Sequence, residues 1–193
     1  MKRGVVAGKA ALTCLTLAAL SGCMPKISVE KIREMKPVRA AELDRLNMFL
    51  GQWTTTGECE SPVLEEKLSG TGVSTNQWEC DNWVMAHRME FEVSGLGEST
   101  EIQLWTWDMN AGKFRIWSHN SWGLTWTGSA KFDADAKTWR LKASGKNPMG
   151  HDVVMEGTIV MTDPNTMEWT WKEWSACKLM KMGEWKGTSK RKM

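Results

Sequence analysis

The side chains able to do chemistry in this 193-residue chain are few, beginning with three histidines, His87, His119 and His151, and five cysteines. The histidines lie in separate segments without ligand-like spacing, so a metal or haem site would need the fold to bring them together. There is no His-Glu-x-x-His, no Gly-x-Ser-x-Gly and no Gly-rich phosphate loop ending in Lys-Ser/Thr, and Gly95-Leu96-Gly97 reads as a turn. The chain therefore carries no catalytic motif and no metal-ligand set, and no cofactor is expected. What stands out is aromatic: 13 Trp and 4 Phe with no Tyr, alongside 14 Met. Trp offers flat apolar area that stacks on rings or lines a cavity, and Met adapts to irregular space. Trp105, Trp107, Trp117, Trp122, Trp126, Trp139, Trp169 and Trp171 fall in the central and late parts of the chain.

These residues are positioned by strands. Trp169 and Trp171 share a parity with Met167, while Glu168, Thr170 and Lys172 take the other; Val153, Met155, Ile159 and Met161 alternate with Glu156, Thr158 and Thr162 in the same way. His87 shares its parity with Met85, Met89, Phe91 and Val93, which points it to the apolar face. Turn clusters such as Asp108-Met109-Asn110-Ala111-Gly112 and Asp163-Pro164-Asn165 separate the runs. Ten runs result, near 51–60, 70–79, 83–93, 98–108, 113–119, 124–132, 138–144, 151–162, 166–176 and 180–190, with no helix long enough to cover a sheet. An all-β antiparallel up-and-down barrel of about ten strands removes the two edges such a sheet would leave. A two-sheet sandwich satisfies the same local pattern. Ahead of the strands, Leu43, Leu46 and Leu50 recur at i, i+3 and i+7 among charged residues, predicting a short amphipathic helix closed by Gly51.

The N-terminus speaks to location. Lys2, Arg3 and Lys9 precede the apolar run Ala10–Leu20, which has the length of an export signal and is too short to span a bilayer. Leu20-Ser21-Gly22-Cys23 resembles a bacterial lipoprotein lipobox, which implies cleavage after residue 22 and acylation of Cys23. Two or three acyl chains hold a domain at a membrane where one would be marginal. Met24, rather than Asp, follows the cysteine, which by the same resemblance favours the outer membrane. The organisation expected is a signal peptide over 1–22, a polar tether over 23–37 containing Pro25 and Pro37, and a barrel domain over 38–193. Without the three basic residues of the signal, 22 Lys/Arg face 23 Asp/Glu. The Lys186, Lys190, Arg191 and Lys192 group then reads as a solvated ending, and nucleic acid is not an expected partner.

Leu46-Asn47-Met48-Phe49-Leu50-Gly51-Gln52-Trp53 resembles the helix, Gly-x-Trp and first strand with which lipocalins and other calycins open. Residues 46–192 are similar to the bacterial family called domain of unknown function 1579. The matching features are the Leu-x-Gly-x-Trp opening, the Ser61-Pro62 loop, the Gly70-Thr71-Gly72 strand start, a Trp-rich middle and the Ser189-Lys190-Arg191-Lys192 ending. The resemblance implies a calycin-like barrel in which Gly51 and Trp53 are structural. It implies nothing about substrate.

Export would place Cys59, Cys80 and Cys177 in an oxidising compartment, where one bond can form. In a ten-strand meander Cys59 and Cys177 fall at the same rim on strands that closure makes neighbours, so Cys59–Cys177 is the favoured pair; a local Cys59–Cys80 bridge competes with it. For function, two readings stay open. Either Trp and Met fill the barrel of a structural or protein-interaction module, or they line a cavity for a small apolar or aromatic ligand. His87, Met89, Phe91, Trp105, Trp107, Trp139, Trp169 and Trp171 are the candidates for its lining.

Overall fold

The computed structural model describes residues 27–147 and 149–192. The expected signal peptide over 1–22 and the expected acylation site Cys23 lie outside the described residues. The chain divides into two compact units between Val38 and Arg39. In the first, helix α1 (Val29–Glu34) is capped by Ser28, whose hydroxyl accepts from the Lys31 amide at 3.1 Å.

In the second unit a 3₁₀ helix (Ala41–Phe49) leads into ten strands: β1 (Gly51–Glu60), β2 (Leu68–Glu79), β3 (Val84–Val93), β4 (Gly97–Asp108), β5 (Lys113–Asn120), β6 (Thr125–Asp133), β7 (Thr138–Lys146), β8 (Asp152–Asp163), β9 (Thr166–Ser175) and β10 (Lys181–Arg191). Each pairs antiparallel with the next, and β10 returns to β1 from Trp53–Arg191 to Glu60–Glu184, so the barrel is closed. The sandwich alternative is thereby excluded. Most outward positions are polar, as with Thr54, Thr56 and Glu58 on β1 and Arg88, Glu90 and Glu92 on β3, with Val73, Leu104 and Trp117 as exposed apolar exceptions. Among the described residues no helix is long and apolar enough to cross a membrane.

The short helix differs from the sequence reading in one respect. Its turns are three residues long, so Leu43, Leu46 and Phe49 form the buried stripe and Leu50 drops out of it. This stripe closes one end of the barrel. There Trp139 is fully buried and meets Phe49, Trp105, Phe114 and Phe132 at centroid distances of 5.4, 5.9, 4.8 and 5.0 Å. Its indole N–H points to Met48 Sδ at 3.2 Å. Gly51 has φ +99°, a left-handed conformation that lets the chain turn from helix into β1. Trp53, also fully buried, donates from Nε1 to the Phe49 carbonyl at 2.7 Å and carries the Arg191 guanidinium 4.3 Å above its ring. Arg191 donates in turn to the Met48 and Leu50 carbonyls, tying the last strand to the end of the helix.

The expected Cys59–Cys177 disulfide is absent, and Cys59, Cys80 and Cys177 are free thiols. The strand argument placed the residues on neighbouring strands, but not their side chains. Cys59 points into the barrel and is buried, whereas Cys177 sits exposed in the β9–β10 turn with its sulfur 3.5 Å from Ser175 Oγ. The seam is held instead by the β1–β10 ladder and by the inward hydroxyl pair Thr55–Ser189 at 2.8 Å.

Candidate functional site

The two ends of the barrel differ. Around the helix, Trp53, Trp139, Phe114, Met85 and Ile116 have at most 1% exposure, with Trp107, Phe132, Ile159 and Met161 partly buried against them. Toward the opposite end, inward residues keep accessible surface although strands surround them. His87, Met89, Phe91, Glu101, Gln103, Trp169, Trp171 and Trp185 are all of this kind. These partly exposed inward side chains border the interior of the barrel.

Glycines shape its walls. Gly187, Gly57 and Gly70 are register partners on β10, β1 and β2. Trp169, the partner of Gly187 on β9, lies across this bare stretch, so that a Cβ on Gly57 would stand 2.7 Å from Cη2 of the ring. Phe91 covers Gly70 and Gly72, and Trp171 covers Gly157. Two aromatic pairs follow, Phe91–Trp185 at 6.0 Å edge-on and Trp126–Trp171 at 5.3 Å. Each pair joins side chains from strands three apart in the barrel.

A polar row crosses the opposite wall. Asn76, His87, Gln103 and Ser118 are successive register partners on β2, β3, β4 and β5. Asn76 Oδ1 accepts from His87 Nδ1 at 2.8 Å, which leaves Nε2 as an acceptor. Burial disfavours the imidazolium and lowers the His87 pKa to about 4, so the ring is neutral near pH 7. Glu101, one step toward the mouth, accepts from Ser118 and from Gln103 at 2.9 Å. Burial raises its pKa, and these two hydrogen bonds pull the other way. Glu173 faces the lumen from β9 beside Trp171, shares its row with Met155 and Gly183, and is raised by burial as well. Cys59 sits near it, its thiol pushed up first by burial.

Of the sequence candidates, His87, Met89, Phe91, Trp169 and Trp171 are inward and keep partial exposure. Trp105 and Trp139, 3% and 0% exposed, belong to the buried cluster around the helix instead, with Trp107 packed on Phe114 at 4.9 Å. Trp117 faces outward and is 43% exposed, over a groove of about 440 Å³ on the outer wall of β5–β7. A second outer groove, of about 580 Å³, crosses β1, β2, β9 and β10. His119 is outward on β5, His151 lies in the β7–β8 loop, and no three His, Cys, Asp or Glu gather as a metal site would require among the described residues. Sequence reasoning missed Glu101, Gln103, Glu173 and Trp185. A signal for the first three was present, since Glu101 and Gln103 share the parity of Trp105, and Glu173 that of Trp171.

No family model and no curated protein matches the chain. Solved structures do share its fold. The crystal structure of Rv2717c from M. tuberculosis aligns with a TM-score of 0.63 and 12% identity over 81% of this chain and all of that one. The S-type phycobiliprotein lyase CPES from Guillardia theta aligns at 0.56 and 8% identity over 86% of this chain and 99% of that one. At such identities the likeness is one of fold: this chain is a closed, lipocalin-like antiparallel barrel.

Proposed function

We propose that the protein is a lipid-anchored component of a bacterial envelope whose barrel takes a small apolar or aromatic ligand through its open end. The observation that carries this reading is the partial exposure of the large inward side chains Phe91, Trp169, Trp171 and Trp185 on the strands of a closed barrel. The mouth adds support. Four of its five loops carry exposed apolar side chains: Val63 and Leu64, Leu96, Met149, and Leu179 and Met180. Such a rim suits a ligand arriving from an apolar phase. The anchor rests on the lipobox-like Leu20-Ser21-Gly22-Cys23, Met24 favours the outer membrane, and kinship with domain of unknown function 1579 rests on the opening and closing motifs.

Titration of the purified protein with apolar and aromatic compounds, followed by Trp emission and native mass spectrometry, tests the reading. Saturable quenching or a co-purified mass supports it. Unchanged emission across the panel overturns it in favour of a protein-interaction module, for which the outer groove beside exposed Trp117 is the natural contact.

A further inference from the structure

We propose that the ligand is an organic cation, an amine or quaternary ammonium on an apolar or aromatic body, held between Glu101 and Glu173 and the aromatic walls of the lumen. This rests on the ligand-binding reading above and narrows it by charge.

Side-chain direction on the strands carries the argument. Among the described strand residues, Glu101 and Glu173 are the two carboxylates on the inward parity, and both keep partial exposure. The inward basic residue is Arg191, at the far end, where it is engaged by the Trp53 ring and the Met48 and Leu50 carbonyls. Strand lysines point out; Lys172, Lys181 and Lys186 all reach Glu184 on the outer wall. The two inward carboxyls thus have no basic side chain of the described strands to pair with.

Its geometry suits a cation between the carboxylates. β4 and β9 are five strands apart in either direction around the barrel, so Glu101 and Glu173 stand on opposite walls. Phe91 and Trp185 close one flank and Trp126 and Trp171 the other. Aromatic faces present the negative side of their quadrupole, and desolvation strengthens their attraction for a cation. The carboxyls, held up by burial, gain from a cation the partner that the fold does not provide. An anion would meet two carboxylates and electron-rich rings, and a neutral ligand would leave Glu173 uncompensated.

The test compares phenyltrimethylammonium with tert-butylbenzene, two molecules of one shape that differ in a positive nitrogen. Both are titrated by Trp quenching into the full chain and into a Glu101→Gln, Glu173→Gln double variant. We expect the cation to bind at least tenfold tighter than the hydrocarbon, and the double variant to lose that preference while holding tert-butylbenzene within about twofold. Should the double variant melt early, Glu101→Gln and Glu173→Gln singly must each reduce the preference. Equal affinity for the two probes, or a preference that survives in the variants, overturns the cation assignment and leaves the ligand-binding barrel standing. Failure of both probes to bind overturns the barrel reading and the cation with it.

Discussion

Trp169 reaches across Gly187 to Gly57, two strands away, and its Cη2 lies 2.7 Å from where a Cβ on Gly57 would be. A methyl group there cannot coexist with the ring in its present place, and the Lys186 carbonyl, 3.1 Å from the same point, blocks retreat along the wall. Gly57→Ala should push Trp169 toward the lumen and cost about 1–3 kcal/mol, read as a lowered urea midpoint together with a shift in Trp emission.

Trp139 joins the 3₁₀ helix to the closed end of the barrel through four aromatic neighbours. Trp139→Ala should therefore cost about 3–5 kcal/mol in denaturant unfolding. The same change at outward Trp117, which is 43% exposed, should stay within about 1 kcal/mol.

His87 makes stability depend on pH. Its native pKa, lowered to about 4, lies below the ordinary value of 6.5, so its contribution is full above pH 6.5 and is lost as pH falls toward 4. The loss is up to roughly 3 kcal/mol. Glu101 and Glu173 face the same lumen with raised pKa values, and their contribution runs oppositely, present below the ordinary carboxyl range and lost as pH rises through the native values. Urea unfolding between pH 4 and 7 should show a shallower slope in His87→Gln. The single Glu→Gln variants should gain stability at neutral pH.

The thiols predict a labelling pattern. Iodoacetamide on the native protein should modify exposed Cys80 and Cys177, with Cys177 faster because the Ser175 hydroxyl lowers its pKa. Cys59 should react only after unfolding. Peptide mapping by mass spectrometry reads all three sites, and a peptide carrying a Cys59–Cys177 cross-link would contradict the free-thiol arrangement.

Cys23→Ser should abolish incorporation of labelled palmitate in a bacterial host and release the protein from the membrane fraction, because the acyl chains would be its anchor. Retention of label in the variant would refute acylation at that residue.

The strands were legible because period-two alternation and turn residues agree along most of the chain. Expected and observed bounds differ by at most two residues, as for 70–79 against Leu68–Glu79 and 138–144 against Thr138–Lys146. Parity also placed His87, Met89 and Phe91 inward. Height along the barrel axis was not legible. Trp105 and Trp171 have the same inward parity, yet one is buried beside Phe49 of the helix and the other stays partly exposed beside Trp126, and only the register of all ten strands separates them. Glycine positions carried the missing information, since Gly57, Gly157 and Gly187 become meaningful once the ladders show which ring lies over each. The cysteine pairing failed at the level of side-chain direction, which strand adjacency does not determine.

Closure through β1 and β10 also sets an order of events. Trp53 cannot find Arg191 until the final strand exists, so nearly the whole chain must emerge before the seam can form. Neighbouring hairpins can pair earlier, but the barrel stays an open ribbon with β1 and β9 as bare edges until β10 arrives. Folding is slow for a topology whose decisive contact joins its two ends. Were the chain exported, as proposed from its N-terminal residues, that delay would be an advantage, because the form threaded through a translocation pore would be the one without a seam.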